Sequence, residues 1–366
     1  MKVLAAMSGG VDSAVAAALL VEEGHDVTGV HLKLSDVPLD EQVPGQGCCT
    51  LDDASDARRA AQVLDIPFYV WDLSDRFLSE VQDPFAAAYA DGITPNPCVT
   101  CNERVKYSAL LDRARLLGFD ALATGHHARL RTRGDASALL RATDLHKDQS
   151  YVLYMATSAQ LAQTLLPVGE LTKDGVRAHA AGLGLRVANK PESFDVCFIP
   201  SGDTAGYLAQ HVDARSGEIV EVDGTVVGEH DGIWNFTVGQ RRGLGLGSHE
   251  RRFVVDVDAT TNRVVVGPRQ ALACQWIEVD GFIWRGAGDP AGTPVRLQIR
   301  AHGSTVAARV TPIAAGLRVT VDEPIYGAAR GQAAVLYDER DEVCLGGGRI
   351  IAAERPALPV AVTGAR

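Results

Sequence analysis

A glycine-rich turn near the start of the chain has the residue types of an anion-binding site. Residues 8–13 read SGGVDS and lie between the apolar run 3–7 and a run of small apolar residues that continues to Leu20. The N–H groups that open a helix have no partners within it, and the helix dipole adds partial positive charge, so such a turn attracts phosphate. The turn has neither the GxGxxG spacing nor the lysine of a GxxxxGK[ST] loop. A strand-to-helix turn without a ligand is the alternative interpretation.

The carboxylate of Asp12 limits which anion this turn could bind. A carboxylate beside a phosphate is repulsive unless a cation lies between them. Mg²⁺ with a few oxygen ligands and substrate phosphates meets that condition. We therefore expect a magnesium-bound polyphosphate at the turn, near Asp12, the hydroxyls of Ser8 and Ser13, and the bare backbone of Gly9 and Gly10.

A second group of reactive side chains lies at 94–107, where TPNPCVTCNERVKY joins two prolines and a C-x-x-C to the start of a helix. Asn102 is a reasonable N-cap, which would place Cys101 at the helix N-terminus. The helix dipole and the nearby cations Arg104 and Lys106 would then lower the pKa of the thiol. Because the thiolate is the nucleophilic form, this pattern favours attack on an activated carbon or on a sulfane sulfur.

Metal binding is the competing interpretation of the cysteines. A structural zinc site would need a second pair beside Cys98 and Cys101, but the adjacent Cys48–Cys49 has the wrong spacing to chelate. An iron–sulfur cluster on Cys98, Cys101 and Cys197 is also possible. Cys197 lies between apolar neighbours, which by itself is typical of a buried, unreactive thiol.

The elements that position these residues alternate between strands and helices. Apolar runs predict strands at 2–7, 26–32, 66–71 and 120–125, and amphipathic stretches predict helices at 11–23, 53–64, 75–90 and 102–117. Continuous apolar strands that alternate with helices indicate a parallel sheet covered on both faces, hence an α/β domain. The polar segment 33–52 is too long for a simple connection, and we predict a mobile active-site loop there.

The rest of the chain changes from helical to β character. A hairpin after residue 131 precedes helices predicted at 158–166 and 172–184, with Ser158 and Thr172 as N-caps. Beyond about residue 205, short alternating runs and glycine turns predict a small β-rich domain and then a barrel, in which Cys274 and Cys344 fill the core. The predicted domains are a catalytic domain, a small central domain and a C-terminal β-barrel, at 1–200, 201–270 and 271–366.

Composition sets broad limits on these assignments. The 366 residues carry a formal charge of −11, which taken alone argues against a nucleic-acid partner, although arginines cluster at 241–252. No apolar run reaches the length of a bilayer-spanning helix, so we expect no membrane partner. The opening apolar stretch ends at Ser8–Gly10 and therefore predicts a first strand rather than a signal peptide. Seven cysteines without a secretory leader favour a reducing, cytoplasmic setting.

The turn at 8–13 resembles the PP-loop of ATP pyrophosphatases, which hold the β- and γ-phosphates of ATP and release pyrophosphate. The motifs MSGGVDS, TPNPCVTCN, ATGHHARL, KDQSYVLY, VCFIP, FTVGQRRGLGLG and VCLGGG occur in the order found in tRNA-specific 2-thiouridylases, over residues 1 to 350. The chain is identified by these motifs as a member of that family. The resemblance implies a PP-loop (HUP-like) domain with a parallel sheet, a small central domain, and a β-barrel that contacts tRNA.

The resemblance also implies an activity, replacement of the C2 oxygen of the wobble uridine by sulfur in tRNA for Lys, Glu and Gln. Cys101 matches the family's nucleophile and Cys197 its persulfide carrier, and the two would form a transient disulfide. The implied ATP-binding residues are Ala6, Met7, Ser8, Gly9, Gly10, Val11, Asp12, Ser13, Leu32 and Gly125. The implied tRNA-binding residues are Asn96, Pro97, Cys98, His126, Lys147, Asp148, Gln149, Arg300, Ala301 and Gln332.

Three of these positions depart from the family pattern. Cys98 replaces an aspartate of some members, Leu32 replaces a common methionine, and Ala301 lacks the larger side chain often found beside the arginine. A proton-transfer role at position 98 is therefore in doubt, and no role is assigned to Cys48–Cys49.

The implied cofactors are ATP and Mg²⁺, with persulfide sulfur from a donor protein. The expected partners are tRNA and a cysteine desulfurase or sulfur-relay protein, and we expect a monomer. Other functions stay open from the residues alone. These are another PP-loop ATP pyrophosphatase, such as an adenylating ligase or amidotransferase, an iron–sulfur-dependent tRNA thiolase, and a non-catalytic RNA-binding protein.

Overall fold

The computed structural model describes residues 1–35, 51–133, 136–191, 196–199, 201–247 and 251–354. The predicted loop at 33–52, with Cys48 and Cys49, falls for the most part outside these residues. Contacts divide the chain into two compact units. The first unit contains the described residues of Met1–Asp83, Pro97–Asp203 and Arg340–Gly346, and the second those of Pro84–Asn96, Thr204–Glu339 and Gly347–Arg366.

A parallel sheet forms the centre of the first unit. The strands of this unit are β1 (Lys2–Ala6), β2 (Asp26–Lys33), β3 (Phe68–Asp72), β4 (Ala121–Ala123), the hairpin β5 (Ala128–Arg133) and β6 (Ala136–Arg141), and β7 (Thr164–Leu165). The parallel strands lie in the order β3-β2-β1-β4-β7, so β1 is central. Its Val3 and Leu4 are fully buried, as expected for a strand covered on both faces. The predicted parallel α/β sheet is therefore confirmed.

Helices cover this sheet. Those described along the chain are α1 (Val11–Glu22), α2 (Leu51–Val63), α3 (Ser74–Phe77), α4 (Asp83–Ala90), α5 (Pro97–Cys101), α6 (Leu111–Leu116), α7 (Ser158–Leu161), α8 (Lys173–Gly182) and α9 (Thr204–His211). The alanine-rich face of α1 packs with β1 and α8 in one apolar cluster. Small side chains let α1 lie close to the sheet, which fixes the turn that opens it.

Of the two predicted helix N-caps, one is confirmed and the other is wrong. Thr172 caps α8, because its hydroxyl accepts a hydrogen bond from Gly175 N at 3.2 Å. Helix α7 is capped by Thr157, with a capping box to Gln160, rather than by Ser158. The predicted helix 158–166 is also too long, since Thr164 and Leu165 pair with β4 instead.

The helix that carries Cys101 begins earlier than expected. It starts with Pro97, a residue suited to the first turn of a helix, and continues from α5 through a π-helical segment, Asn102–Leu110, into α6. Asn102 is 2% exposed and its Nδ2 donates to Val152 O at 2.9 Å. The prediction that Asn102 caps this helix is therefore wrong, and Cys101 ends its first segment. A second π-helical segment, Leu78–Gln82, separates α3 from α4.

The second unit is mainly β structure, with helix α9 as an exception to the predicted all-β character. A four-stranded sheet has the order β10-β11-β8-β9. Its strands are β8 (Gly217–Glu221), β9 (Val226–His230), β10 (Phe253–Asp258) and β11 (Arg263–Gly267). Their apolar side chains form a core with Ile233 and Phe236.

A closed six-strand barrel completes the fold. Its strands are β12 (Ala273–Trp284), β13 (Pro294–Gln298), β14 (Val306–Ile313), β15 (Gly316–Tyr326), β16 (Ala333–Tyr337) and β17 (Val343–Ala353). The order β12-β15-β14-β13-β16-β17 closes through a β12–β17 pairing, and the start of β17, at Val343 and Cys344, also pairs with β6. Cys274 and Cys344 are 1% exposed, as predicted for core positions. The predicted fold class is confirmed, whereas the boundaries at residues 200 and 270 stay a prediction.

None of the helices in the described ranges has the length and apolar character needed to cross a membrane.

Candidate active site

The turn before α1 combines a glycine of positive φ with a helix start that lacks a capping side chain. Gly9 has φ +83°, a conformation that favours glycine, and Gly10 precedes the helix as a cap residue without a capping side chain. Ser13 Oγ donates to Gly10 O at 3.0 Å and accepts from Ser8 N at 3.1 Å, so the serines hold the turn together from within. The first N–H groups of α1 are therefore left without a capping side chain within the described residues.

Close backbone packing keeps this turn bare. A Cβ on Gly9 would lie 2.3 Å from Asp53 O, and a Cβ on Gly125 would lie 2.5 Å from Ser13 N. The predicted ATP-binding residues thus come together, with Gly125 against the first turn of α1. Met7, 1% exposed, directly follows β1, and Leu32, 9% exposed, lies on β2.

A lysine from a distant helix neutralises Asp12. Lys173 Nζ lies 2.8 Å from Asp12 Oδ1 and 2.7 Å from Oδ2, and His127 Nε2 lies 3.0 Å from Oδ1. Burial works to raise the pKa of Asp12, but the hydrogen bonds from His127 and Lys173 prevail and hold it below its ordinary value. The structure therefore adds an ammonium group beside Asp12, and the expectation that Mg²⁺ binds there with the nucleotide stays a prediction.

A second lysine, Lys190, stabilises the turn through hydrogen bonds. Its Nζ donates to Gly9 O at 3.0 Å, to Asp53 Oδ1 at 2.7 Å and to Asp56 Oδ2 at 2.8 Å. It therefore links the glycine turn to α2. Sequence reasoning missed both Lys173 and Lys190, because no local pattern connects either lysine to a turn so far away in the chain.

Cys101 is not the exposed, activated thiol that the sequence predicted. It is 8% exposed, and burial raises the pKa of Cys101 to about 12, which Lys106 lowers only in part while Cys197 and Cys98 raise it further. The expected lowering by a helix N-terminus is wrong because the helix starts at Pro97 and because water does not reach the thiol. At neutral pH in this conformation Cys101 is a neutral thiol.

Cys197 and Cys98 lie in the same unit and influence the thiol of Cys101 electrostatically. Both cysteines are partly exposed, so the alternative expectation that Cys197 is fully buried is wrong. The ring of the next residue, Phe198, packs edge-on against Phe77 with centroids 5.7 Å apart. The structure thus brings the three cysteines of the predicted site into one neighbourhood.

Alkylation by iodoacetamide checks this difference in burial and ionisation. At pH 8 a thiol of pKa about 12 is only about one part in 10⁴ thiolate, so we expect Cys101 to react at least about 100-fold more slowly than Cys197 in the folded protein. Its rate should stay low until the pH approaches 12. Peptide mass spectrometry would follow each site, with buried Cys274 as the slow control and urea-unfolded protein as the fast one. Equal rates at Cys101 and Cys197 in the folded protein would contradict this assignment.

The described residues offer no group of three or more His, Cys, Asp or Glu side chains that could hold a metal ion. Cys98, Cys101 and Cys197 are therefore not arranged as metal ligands in this conformation.

Several predicted tRNA contacts in the first unit are engaged within the protein. His126 is 8% exposed, with Nδ1 2.7 Å from Thr124 Oγ1 and Nε2 3.4 Å from Lys106 Nζ. Burial, and then the charge of Lys106, hold the pKa of His126 well below its ordinary value, so this imidazole is neutral. The adjacent His127 pairs with Asp12 and leaves its Nδ1 without a partner among the described residues.

In the segment 147–149, too, some of the predicted tRNA contacts are engaged within the protein. Asp148 is 8% exposed and accepts hydrogen bonds from Arg141 Nη1 at 2.7 Å and from Ser150 Oγ at 2.8 Å. Its carboxylate is thus a structural partner of Arg141, and its contact with RNA stays a prediction. Gln149 bonds the backbone of His127 through Oε1 at 2.9 Å and through its own N at 2.7 Å. Lys147 and, in the same unit, Pro97 are partly exposed.

The remaining predicted tRNA contacts fall in the second unit. Arg300 and Ala301 are exposed on the segment after β13, where Arg300 Nη2 donates to Gly327 O at 3.2 Å. Gln332 is half-buried and its Nε2 donates to Thr94 O at 3.0 Å and to Pro95 O at 3.2 Å. It therefore holds the segment that leads to the partly exposed Asn96.

Three family models match consecutive parts of the chain. The tRNA methyl transferase HUP domain matches residues 1–201, the tRNA methyl transferase PRC-barrel domain residues 205–268, and the aminomethyltransferase beta-barrel domain residues 276–350.

Curated relatives match nearly the whole chain, each named tRNA-specific 2-thiouridylase MnmA. The protein of Rhodococcus opacus is 50% identical over 96% of this chain and 97% of the relative. That of Thermobifida fusca is 50% identical over 97% of both, and that of Salinispora tropica 51% identical over 96% of this chain and 99% of the relative. Identity at this level over almost the full length of both chains confirms the resemblance seen in the motifs: the chain belongs to the tRNA-specific 2-thiouridylase family.

Proposed function

We propose that the protein is an ATP-dependent sulfurtransferase that converts the wobble uridine of tRNA to 2-thiouridine. Family membership supports the activity. The observation that carries the proposal is that one unit contains both a glycine turn at an uncapped helix start and a pair of neighbouring thiols, Cys101 and Cys197. An ATP site without thiols, or thiols without an activating site, would not suffice for this reaction.

The glycine turn supplies the activation. The β- and γ-phosphates of ATP would lie over Gly9 and Gly10, where the opening N–H groups of α1 point outward. The C2 oxygen of uridine attacks the α-phosphorus, the bond to the β-phosphate breaks, and pyrophosphate leaves. The C2 oxygen then belongs to AMP, a far better leaving group than oxide. Mg²⁺ bound to the phosphates would neutralise part of their negative charge.

The thiols supply the sulfur. A persulfide on Cys197 attacks C2 through its outer sulfur, and AMP leaves with the original oxygen. The product of this step is a disulfide between C2 and Cys197. Cys101, after losing its proton, attacks Cys197 Sγ, so that the sulfur stays on C2 as the thiocarbonyl and a Cys101–Cys197 disulfide remains. Because burial holds Cys101 neutral, this step requires a conformation in which the thiol can lose its proton.

The proposal implies two partners and one reductant. A sulfur donor, either a cysteine desulfurase or a relay protein that it loads, must regenerate the persulfide. A thiol reductant must reopen the disulfide. The exposed Arg300 and Ala301 are proposed tRNA contacts of the barrel, and the partly exposed Pro97, Cys98 and Lys147 those of the first unit. The domain boundaries at residues 200 and 270 also stay as a proposal, which the ranges of the family models support.

Mass spectrometry of nucleosides from digested tRNA tests this function. The purified protein is incubated with ATP, Mg²⁺, a cysteine desulfurase with cysteine as the persulfide source, and unmodified tRNA for Lys, Glu or Gln, and pyrophosphate is measured in parallel. We expect 2-thiouridine only when ATP is present, with pyrophosphate formed in proportion. Pyrophosphate without thiolated RNA would favour another adenylating ligase or amidotransferase of the PP-loop class. Thiolation that follows bound iron and is lost on anaerobic chelation would favour the iron–sulfur alternative.

A further inference from the structure

The contact between Lys173 and Asp12 has a consequence for how the glycine turn holds a polyphosphate. We propose that Lys173 is the protein cation that binds the phosphates at this turn, and that Asp12 holds Lys173 in place rather than binding Mg²⁺. The inference rests on the proposed function, because it assumes that a nucleotide binds at the turn. It assigns a positioning role to Asp12 and a binding role to a lysine that no local motif reveals.

Hydrogen bonds hold both the backbone N and the side-chain ammonium of Lys173 in place. It is the first residue of α8, and its backbone N donates to Asp144 Oδ2 at 3.0 Å while Thr172 caps the helix. Its side chain is only 12% exposed, and Nζ contacts both oxygens of Asp12. Fixing the stem and the ammonium lowers the entropy that a flexible lysine would lose on binding an anion.

Asp12 is in turn oriented from two sides. Its Oδ1 receives hydrogen bonds from both Lys173 and His127, and its Oδ2 receives one from Lys173. The His127 ring is 2% exposed and its backbone is bonded by Gln149, so the imidazole cannot swing away freely. The carboxylate therefore acts as a fixed anchor in the first turn of α1, next to Gly9 and Gly10.

The same contacts disfavour Mg²⁺ on Asp12. A divalent cation at a carboxylate oxygen would lie a few ångströms from an ammonium that already contacts both oxygens, and like charges repel strongly at that separation in a partly buried site. Any Mg²⁺ at the site would therefore be held by the phosphates.

Removing the carboxylate distinguishes the two roles by the sign of its effect. If Asp12 binds Mg²⁺, Asp12→Asn weakens nucleotide binding when the metal is present and removes the response to metal. If Asp12 anchors Lys173, Asp12→Asn removes the anchor but also a negative charge near the phosphates. Because the lost repulsion offsets the lost anchoring, binding without metal does not weaken. Lys173→Met removes the cation itself and weakens binding with or without metal.

The experiment measures affinity for the non-hydrolysable analogue α,β-methylene-ATP by calorimetry, once with Mg²⁺ and once with EDTA. We expect Lys173→Met to lose about 10-fold or more in affinity under both conditions, the range for one charge-assisted contact. Lys173→Arg should keep most of the affinity, and Asp12→Asn in EDTA should bind at least as tightly as the unchanged protein. Lys2→Met and Asp26→Asn, at the N-terminal ends of β1 and β2 and so away from the turn that follows β1, are matched controls and should change nothing.

The possible results distinguish a failure of the roles proposed for Lys173 and Asp12 from a failure of the proposed nucleotide site. Unchanged binding by Lys173→Met, or loss of metal-free binding by Asp12→Asn with a native thermal melting profile, would overturn the roles proposed for this pair. If the unchanged protein binds the analogue under neither condition, the nucleotide site itself fails. Binding by the unchanged protein that depends wholly on Mg²⁺, and that Asp12→Asn abolishes, would return Asp12 to the role of metal ligand.

Discussion

Replacing Cys197 by serine is expected to lower 2-thiouridine formation at least about 1000-fold, because no persulfide can form and no other group can deliver the sulfur. Replacing Cys101 by serine should cause a loss of the same order but at a later step. The sulfur then reaches C2, and the RNA stays attached to Cys197 through a disulfide that nothing resolves. Both variants should still release pyrophosphate in a single turnover, because adenylation precedes sulfur transfer.

The two variants are distinguished by a covalent adduct. Non-reducing gels should show an RNA–protein species with Cys101→Ser, lost on treatment with dithiothreitol, and none with Cys197→Ser. Cys274→Ala, in the barrel core, is the control and should thiolate RNA normally when folded. Full thiolation by Cys197→Ser would exclude the persulfide mechanism. Absence of the adduct from Cys101→Ser would remove Cys101 from the resolving step.

Gly9→Ala is expected to lower nucleotide binding by about 100-fold or more, which corresponds to about 2.7 kcal/mol. A Cβ at Gly9 would lie 2.3 Å from Asp53 O and would sit on a residue with φ +83°. The backbone of α2 would have to move, and with it the contact that Lys190 makes to both segments. Gly125→Ala should act similarly, since its Cβ would lie 2.5 Å from Ser13 N and displace the start of α1.

Gly24→Ala is the matched control for these glycines. It has φ +80°, close to that of Gly9, but a Cβ there meets nothing within 4 Å. It therefore carries the backbone cost of about 1 kcal/mol without the collision. Calorimetry with the same ATP analogue measures all three variants, and circular dichroism checks that each is folded. Equal losses for Gly9→Ala and Gly24→Ala would mean that backbone strain, and not the close approach at the turn, governs binding.

Much of the first unit follows from local sequence. The strand at 2–6, the glycine turn and helix α1 were predictable because apolar runs, turn residues and small helix-forming residues follow one another within 20 positions. Residues next to each other in the chain largely determine backbone conformation of this kind. The family motifs added the pairing of Cys101 with Cys197, which no spacing by itself could supply.

Other features depended on contacts between distant parts of the chain. Lys173 reaches Asp12 across 161 positions and Lys190 reaches Gly9 across 181, and no periodicity encodes such pairs. Burial likewise reversed the expected pKa shift of Cys101, because the helix began at Pro97 and packing excluded water from the thiol.

The sequence by itself therefore determined which groups are present and the order of the elements that carry them. Only the tertiary structure decided the environment of each group, since charge and ionisation depend on neighbours in space. Asp12 shows the difference most clearly. In the sequence it is a carboxylate that needs a cation beside a phosphate, and in the folded chain that cation is the ammonium group of Lys173, brought there by α8. Desolvation and Coulomb interactions act over a few ångströms, whatever the separation along the chain.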